Sequence, residues 1–229
     1  MSDNSAVHAG QAVYSPLVLA IYDFYVLGLS NHLLWRCPTR HLRSLYDRNV
    51  SSRHLDVGVG TGYFLDKARW PVADPAITLI DLNANSLNAA ARRIGRYPLQ
   101  SLRANALESM PAIGPFDSVG LCYLLHCLPG TLREKAIVFS HLQPLLAPGA
   151  RVFGATIVQG PAPRSRAAQA LMNAYNRQGV FSNATDTADA LETILEQHFA
   201  DVTVKLHGTV ALFEATALSP AAGLRGGGE

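Results

Sequence analysis

The sequence has few charged residues and no long apolar run. Only 16% of the 229 residues are charged, and the balance of 19 lysines and arginines against 17 acids gives a net charge of +2. So small a charge gives no reason to expect nucleic acid as a partner. The richest apolar stretch, residues 17–29, contains Asp23 and is too short to span a bilayer. The first eleven residues lack the basic-then-apolar order of a signal peptide. We therefore expect a globular protein with neither nucleic-acid nor membrane partners.

Cysteine is also scarce. The chain has three, Cys37, Cys122 and Cys127, an odd number without the spacing of metal ligands. This pattern favours reduced thiols in the cytoplasm over a disulfide framework, and we expect no bound metal. The length suits one domain with a sizeable core, as a monomer or a homodimer.

A glycine-rich turn is the most informative stretch. Residues 53–57 are typical of a short buried strand, and a helix is expected to begin behind the turn. The three alternate glycines between them are Gly58, Gly60 and Gly62. Glycine lets the backbone approach a ligand closely, and a helix start offers unpaired N–H groups. The dinucleotide fingerprint requires glycine at position 63, where Tyr63 stands. Asp56, at the end of the strand, would repel a pyrophosphate but suits a ligand that carries an ammonium and a sulfonium.

Residues 56–62, Asp-Val-Gly-Val-Gly-Thr-Gly, resemble motif I of the class I S-adenosylmethionine-dependent methyltransferases, in their small-molecule branch. The resemblance extends over roughly residues 50–217. It implies S-adenosylmethionine as cofactor and S-adenosylhomocysteine as product. A purely structural strand-to-helix turn is the alternative.

Strand and helix patterns alternate along the chain, which predicts an α/β, doubly wound sheet with helices on both faces. The expected strands are 53–57, 76–80, 99–104, 116–122 and 151–158, and the helices between and after them are 62–69, 83–96, 132–142 and 187–198. Residues 200–206 and 209–217 are expected to form a terminal antiparallel hairpin around Gly208. The resemblance implies a Rossmann-like, mostly parallel seven-stranded sheet with one reversed strand.

The chain is expected to have three parts. Residues 1–49 form an N-terminal helical lid with helices at 15–29 and 39–46, residues 50–217 form the catalytic domain, and residues 218–229 form a disordered tail. Within the domain, residues 160–183 interrupt the alternation and are placed as an insertion that walls the substrate pocket. In the resembling family a lid of this kind folds over the cofactor, often with a tyrosine. Tyr14 and Tyr22 are therefore cofactor-binding candidates, with ordinary core packing as the alternative.

A second acid follows the second strand. Right-handed crossovers place Asp81 beside the glycine turn, where its carboxylate can accept hydrogen bonds from both hydroxyls of a ribose. The alternative role for Asp81 is the N-cap of the next helix. The resemblance also implies that Leu82 lies against the adenine and that Asn105 and the backbone N–H of Ala106 read the adenine edge. Asn105 can equally be a turn residue.

Residues at the carboxyl end of the fourth strand should face the methyl group, because ligands of open α/β sheets bind there. Cys122 is assigned to the cofactor, and Tyr123 and His126 to the acceptor. His126 is also the candidate general base, since histidine titrates in the useful range; its alternative role is to bind the backbone of the preceding loop or to orient the substrate. The insertion contributes three substrate-binding candidates, Met172, Tyr175 and Phe181.

Two acceptor classes of the resembling family do not fit. Residues 122–125, Cys-Tyr-Leu-Leu, lack the Pro-Pro-aromatic run of enzymes that methylate exocyclic amines of nucleic-acid bases. Residues 127–129, Cys-Leu-Pro, do not match the Pro-Cys setting of cytosine methyltransferases. A small, largely apolar or aromatic acceptor is left, with O-methylation favoured over N- or S-methylation. A non-methylating enzyme on the same fold and a cofactor-binding regulatory subunit remain open.

Overall fold

The computed structural model describes residues 31–160 and 164–218. The predicted first lid helix at residues 15–29, its candidates Tyr14 and Tyr22, and tail residues 219–229 lie outside the described residues. The assignments made for them, and the division of the chain into lid, domain and tail, stay predictions.

Within the described residues, seven strands form one sheet. They are β1 (Arg53–Val57), β2 (Ala76–Asp81), β3 (Leu99–Arg103), β4 (Phe116–Cys122), β5 (Leu146–Ile157), β6 (Phe199–His207) and β7 (Val210–Ala217). Their order is β3-β2-β1-β4-β5-β7-β6. Strands β1 to β5 run parallel, and β7 is antiparallel to both β5 and β6. The predicted doubly wound sheet with a terminal antiparallel hairpin is confirmed. The strand order reverses between β1 and β4, which is where such sheets bind ligands.

The helices of the described residues are α1 (Thr39–Asn49), α2 (Tyr63–Lys67), α3 (Ala84–Ile94), α4 (Leu132–Lys135), α5 (Ile137–Leu142), α6 (Arg166–Arg177) and α7 (Ala188–His198). The single helix expected over residues 132–142 was wrong. It is two helices, because the N–H of Phe139 bonds to the carbonyl of Ala136 only three residues back and interrupts the α-helical ladder. No helix in the described ranges is both long enough and apolar enough to cross a membrane.

The two faces of the sheet bury different residues, since successive side chains of a strand point to opposite sides. One apolar cluster packs the sheet against α1, α2, α3 and Met172 of α6. The other packs the opposite face against α4, α5 and α7, and it holds Leu55 and Val57 of β1. The alternate residues of β1, His54 and Asp56, are buried beneath α1 instead. These two polar side chains lie next to each other on one face of β1, within an otherwise apolar layer. They lie at the edge of the candidate functional site.

Candidate functional site

A cavity opens at the carboxyl ends of β1, β2 and β4. The predicted residues that line it are Asp56, Gly58, Gly60, Asp81, Leu82, Asn105, Ala106, Cys122 and Tyr123. Three aromatic residues that the sequence analysis did not assign, Tyr46, Tyr63 and Phe64, line it as well. Residues from three strand ends and from α1 therefore converge on one space.

The three glycines of the turn have different roles. All three have positive φ angles, 76° at Gly58, 53° at Gly60 and 71° at Gly62, in the left-handed region that favours glycine. A Cβ atom added to Gly60 would meet nothing within 4 Å, so this backbone is open to a ligand. A Cβ added to Gly62 would lie 2.9 Å from Cα of Ala90. Gly62 does not line the cavity; it allows α3 to pack closely behind the turn.

Asp81 connects the second strand to the glycine turn. Burial raises the pKa of its carboxyl to about 6, against the opposing effect of hydrogen bonds from the backbone N–H groups of Asn83, Gly60 and Val59. The charge of Asp56 adds to the increase in the pKa of Asp81. The N-cap of α3 is Asn83, whose side chain accepts from the N–H of Asn85 at 2.8 Å. The alternative assignment of Asp81 as the helix cap is therefore wrong, because Asn83 occupies that position.

Asp56 is 2% exposed and is held by two neighbours. The hydroxyl of Tyr46 donates to Oδ2 of Asp56 at 2.8 Å, and Nε2 of His54 lies 3.4 Å from the same oxygen. Burial, followed by the charge of Asp56, raises the pKa of Tyr46 well above its usual value, so the tyrosine keeps its proton and donates. Sequence reasoning missed Tyr46. Its apolar spacing predicts a buried helical residue, but nothing local shows that α1 lies over β1.

The loop residues assigned to the adenine also reach the cavity. Arg103 donates through Nε to the carbonyl oxygen of Leu82 at 2.9 Å, which fixes the loop after β2. The Asn105 side chain accepts from the N–H of Leu107 at 3.1 Å and donates to Glu108 at 3.0 Å. These hydrogen bonds are typical of a turn residue, which was the alternative interpretation of Asn105. Asn105 and Ala106 nevertheless both line the cavity.

Tyr123 follows β4 with a φ of 59°, an uncommon conformation for a residue other than glycine. It lines the cavity, and its hydroxyl donates to Oδ1 of Asn31 at 2.8 Å. Asn31 is fully buried. Tyr123 therefore joins the end of β4 to the segment that precedes α1, at the edge where strand ends present ligand contacts.

His126 lies behind the cavity wall. It is 3% exposed and does not line the cavity. Its Nδ1 accepts from the backbone N–H of Ile157 at 3.3 Å and lies 3.2 Å from the hydroxyl of Thr156. Burial, followed by the charge of Lys135, lowers the pKa of His126 to about 3. A neutral imidazole bonded to β5 favours a structural role for His126, although its backbone partner is β5 and not the preceding loop. The base role stays a prediction.

The predicted acceptor-binding residues form a contiguous aromatic group. Ring centroids are 4.6 Å apart for His126 and Phe181, 4.9 Å for Tyr175 and Phe181, and 5.6 Å for Tyr123 and His126. Met172 is buried in the same apolar cluster. Trp35 joins Phe181 at 6.2 Å and was missed, because no local pattern connects residues so far apart in the chain. Of this group, Tyr123 lines the cavity and the others do not, so contact of His126, Met172, Tyr175 and Phe181 with the acceptor stays a prediction.

The chemistry of the lining decides between ligand classes. The two ionisable acids that line the cavity are Asp56 and Asp81, and no lysine or arginine of the described ranges lines it. A pyrophosphate would meet two carboxylates and no cation. A ligand with ribose hydroxyls and cationic groups matches these acceptors, and the open backbone at Gly60 leaves room for it. Nor does any group of three or more potential metal ligands occur within residues 31–160 and 164–218.

Comparisons with known proteins agree with this chemistry. A methyltransferase-domain family model matches residues 55–152. The demethylluteothin O-methyltransferase of Streptomyces thioluteus is 42% identical over 207 residues, covering 90% of this chain and 90% of that protein. The chain belongs to the class I S-adenosylmethionine-dependent methyltransferases. This methyltransferase is also similar to the physcion biosynthesis cluster O-methyltransferase of Aspergillus chevalieri, at 39% identity over 90% of this chain and 94% of that protein.

A solved structure shows the same fold at low sequence identity. The N-methyltransferase NodS from Bradyrhizobium japonicum, in complex with S-adenosylhomocysteine, has a TM-score of 0.56 and 16% identity, covering 78% of this chain and 87% of that one. Because the chain belongs to the S-adenosylmethionine-dependent methyltransferases, its cofactor is S-adenosylmethionine, as the family resemblance implied.

Proposed function

We propose that this methyltransferase transfers a methyl group to an oxygen atom of a small, largely apolar or aromatic acceptor. The observation that carries the proposal is the pair of carboxylates, Asp56 and Asp81, on one aromatic-lined cavity. The two relatives named above are both O-methyltransferases, which favours oxygen over nitrogen or sulfur as the methyl acceptor.

The cofactor would be held from both ends. Asp81 would accept hydrogen bonds from the ribose hydroxyls, and Asp56 would receive the ammonium of the amino-acid portion. Gly58 and Gly60 line the cavity, and the open backbone at Gly60 would let the ligand approach closely. Leu82, Asn105 and Ala106 would contact the adenine, and Cys122 would lie toward the methyl group. When bound, S-adenosylmethionine supplies a methyl group that is already activated.

The protein's task is then to hold the acceptor in line and to exclude water. Tyr123 follows β4 at its carboxyl end and lines the cavity, so we expect it to contact the acceptor. His126, Tyr175, Phe181 and Met172 fix the wall behind it. Because Asp56 and Asp81 are not balanced by a lining cation in the described residues, a neutral acceptor fits better than a carboxylate.

A labelled-methyl assay tests the proposal. The substrates are matched series of phenols and enols, anilines, thiols and carboxylic acids on the same aromatic frameworks. We expect the wild-type protein to methylate the phenols or the enols. We expect Asp81→Asn to transfer no methyl group. Methyl transfer to the anilines alone would show N-methylation, and transfer to the thiols alone would show S-methylation. Either result would contradict the proposed O-methylation. Cofactor binding with no transfer to any series would favour a non-methylating enzyme or a regulatory subunit. Light scattering of the same preparation decides between monomer and homodimer.

A further inference from the structure

A line of buried polar side chains leads away from Asp56 on the side opposite the cavity. His54 lies two residues before Asp56 on β1 and is fully buried. Its Nε2 is 3.4 Å from Oδ2 of Asp56, and its Nδ1 is 2.8 Å from Oγ of Ser118 on β4. The register pairs His54 with Ser118 and Asp56 with Gly120, so one imidazole contacts both the acid and the neighbouring strand.

The line continues to Ser51. The backbone N–H of Ser51 donates to Oγ of Ser118 at 3.0 Å, and the two hydroxyl oxygens are 2.7 Å apart. Serine hydroxyls rotate and can donate or accept. The ring of His54 is therefore fixed at Nδ1, while its Nε2 is directed at the carboxylate of Asp56.

The sheet leaves room for this arrangement at Gly120. A Cβ atom there would lie 2.9 Å from Oδ2 of Asp56 and 3.5 Å from Cε1 of His54. From the other side, Tyr46 donates to the same Oδ2. The imidazole is packed by Phe153 and Trp70, with ring centroids 5.8 Å and 5.5 Å away. The carboxylate is thus confined by β4, by α1 and by its own strand.

We propose that His54 and Tyr46 are positioning residues that hold the Asp56 carboxylate in one orientation for the ammonium group of the cofactor. This inference rests on the proposed role of Asp56. Both contacts fall on Oδ2, so they fix the rotation of the carboxylate and direct Oδ1 toward the ligand. A buried carboxylate is stabilised only when it is hydrogen-bonded, and a group that is oriented before binding loses less freedom when the ligand arrives.

Two ligands separate positioning from general damage. Calorimetry compares S-adenosylhomocysteine with 5′-methylthioadenosine, which lacks the amino-acid portion. In His54→Leu and Tyr46→Phe we expect S-adenosylhomocysteine to bind about tenfold more weakly, as on loss of a hydrogen bond to a charged group. Binding of 5′-methylthioadenosine should be unchanged in both.

Conservative variants supply the controls. His54→Gln places an amide N–H near the position of Nε2 and should restore most of the affinity that His54→Leu loses. Tyr97→Phe removes a tyrosine hydroxyl away from the cavity and should leave both ligands unaffected. If His54→Leu does not fold, Tyr46→Phe carries the test, because it removes the other hydrogen bond to Oδ2 of Asp56.

A double-mutant cycle gives the decisive outcome. In an Asp56→Asn background, Tyr46→Phe and His54→Leu should cause no further loss of S-adenosylhomocysteine binding. Fully additive losses, or equal weakening of 5′-methylthioadenosine, would overturn the positioning role. An Asp56→Asn variant that binds normally would remove the proposed role of Asp56 itself. If Asp56→Asn binds S-adenosylhomocysteine more weakly but Tyr46→Phe and His54→Leu bind it normally, the positioning role is rejected and the proposed role of Asp56 stands.

Discussion

Asp81 is the last residue of β2, Asp56 is the penultimate residue of the adjacent parallel strand β1, and both line the same cavity. Burial, and in addition the charge of Asp56, raises the pKa of Asp81 to about 6. Backbone N–H groups of Val59 and Gly60 bond to Asp81 and partly oppose this increase. The acid of the second strand thereby holds the turn that follows the first. Its carboxylate is kept available to a ligand at a cost in stability.

Cofactor binding should depend on pH through Asp81. Below about pH 6 the free protein carries a protonated Asp81, which is a poorer acceptor for ribose hydroxyls than the carboxylate. Calorimetry of S-adenosylhomocysteine from about pH 8 to about pH 5 should show the affinity falling below pH 6, by at most about tenfold per pH unit. An affinity that is level across this range would contradict the assignment.

Replacing Asp81 should stabilise the folded protein at neutral pH. The folded-state pKa is raised from 3.8 to about 6, so the protonated form contributes stability that is present below about pH 4 and is lost as pH rises through 6. Asp81→Asn should therefore increase the free energy of unfolding at about pH 8 by about 1–3 kcal/mol. Urea denaturation at about pH 8 and at about pH 4 measures the free energy of unfolding of the wild type and of Asp81→Asn. The gain in stability from the substitution should be smaller at about pH 4. A loss of stability at pH 8 would show that the carboxylate is stabilising.

Two glycines of the turn should respond differently to alanine. Both have positive φ angles, so each substitution costs about 1–2 kcal/mol in backbone conformation. Gly62→Ala adds a contact of 2.9 Å with Cα of Ala90 and should lower the free energy of unfolding by more than Gly60→Ala. Gly60→Ala should chiefly weaken S-adenosylhomocysteine binding. Equal destabilisation by both substitutions, measured by thermal unfolding, would contradict the packing role of Gly62.

His126 should act through structure and not through titration. Because burial lowers its pKa to about 3, the pH profile of kcat/KM for His126→Asn should keep the inflections of the wild type. His126→Leu leaves the buried N–H of Ile157 without its acceptor and should lower the free energy of unfolding by about 1–3 kcal/mol. His126→Asn should cost less, since its amide oxygen can replace Nδ1. Disappearance of an inflection between about pH 5 and about pH 8 in His126→Asn would restore the base assignment.

The sequence predicted the parts of the site that depend on local patterns. Gly58 and Gly60 follow a strand and precede a helix, Asp56 lies at the end region of β1 and Asp81 ends β2, so parallel pairing of these strands brings the two acids to one edge of the sheet. The glycines of the turn and the acids near the strand ends can be recognised in the sequence, because each depends only on a few neighbouring residues. Local patterns likewise predicted the succession of strands and helices and the terminal hairpin around Gly208, whereas the seven-stranded sheet with one reversed strand was implied by the family resemblance.

Contacts between distant segments could not be predicted in this way. Tyr46 meets Asp56 only because α1 packs over β1, and Trp35 meets Phe181 across much of the chain. In the sequence His54 is an ordinary strand residue, because its contact with Ser118 depends on the pairing of β1 with β4. The position of His126 after β4 was predicted, but the 3₁₀ turn Leu125–Cys127 directs its side chain toward β5, away from the cavity.

The most direct measurement is the affinity of Asp81→Asn for S-adenosylhomocysteine at about pH 8, by calorimetry beside the wild type. If two carboxylates at neighbouring strand ends hold the two ends of the cofactor, the substitution should weaken binding by about 100-fold or more while the variant stays folded, as expected when charge-assisted hydrogen bonds are lost. Wild-type affinity in a folded Asp81→Asn would contradict the account.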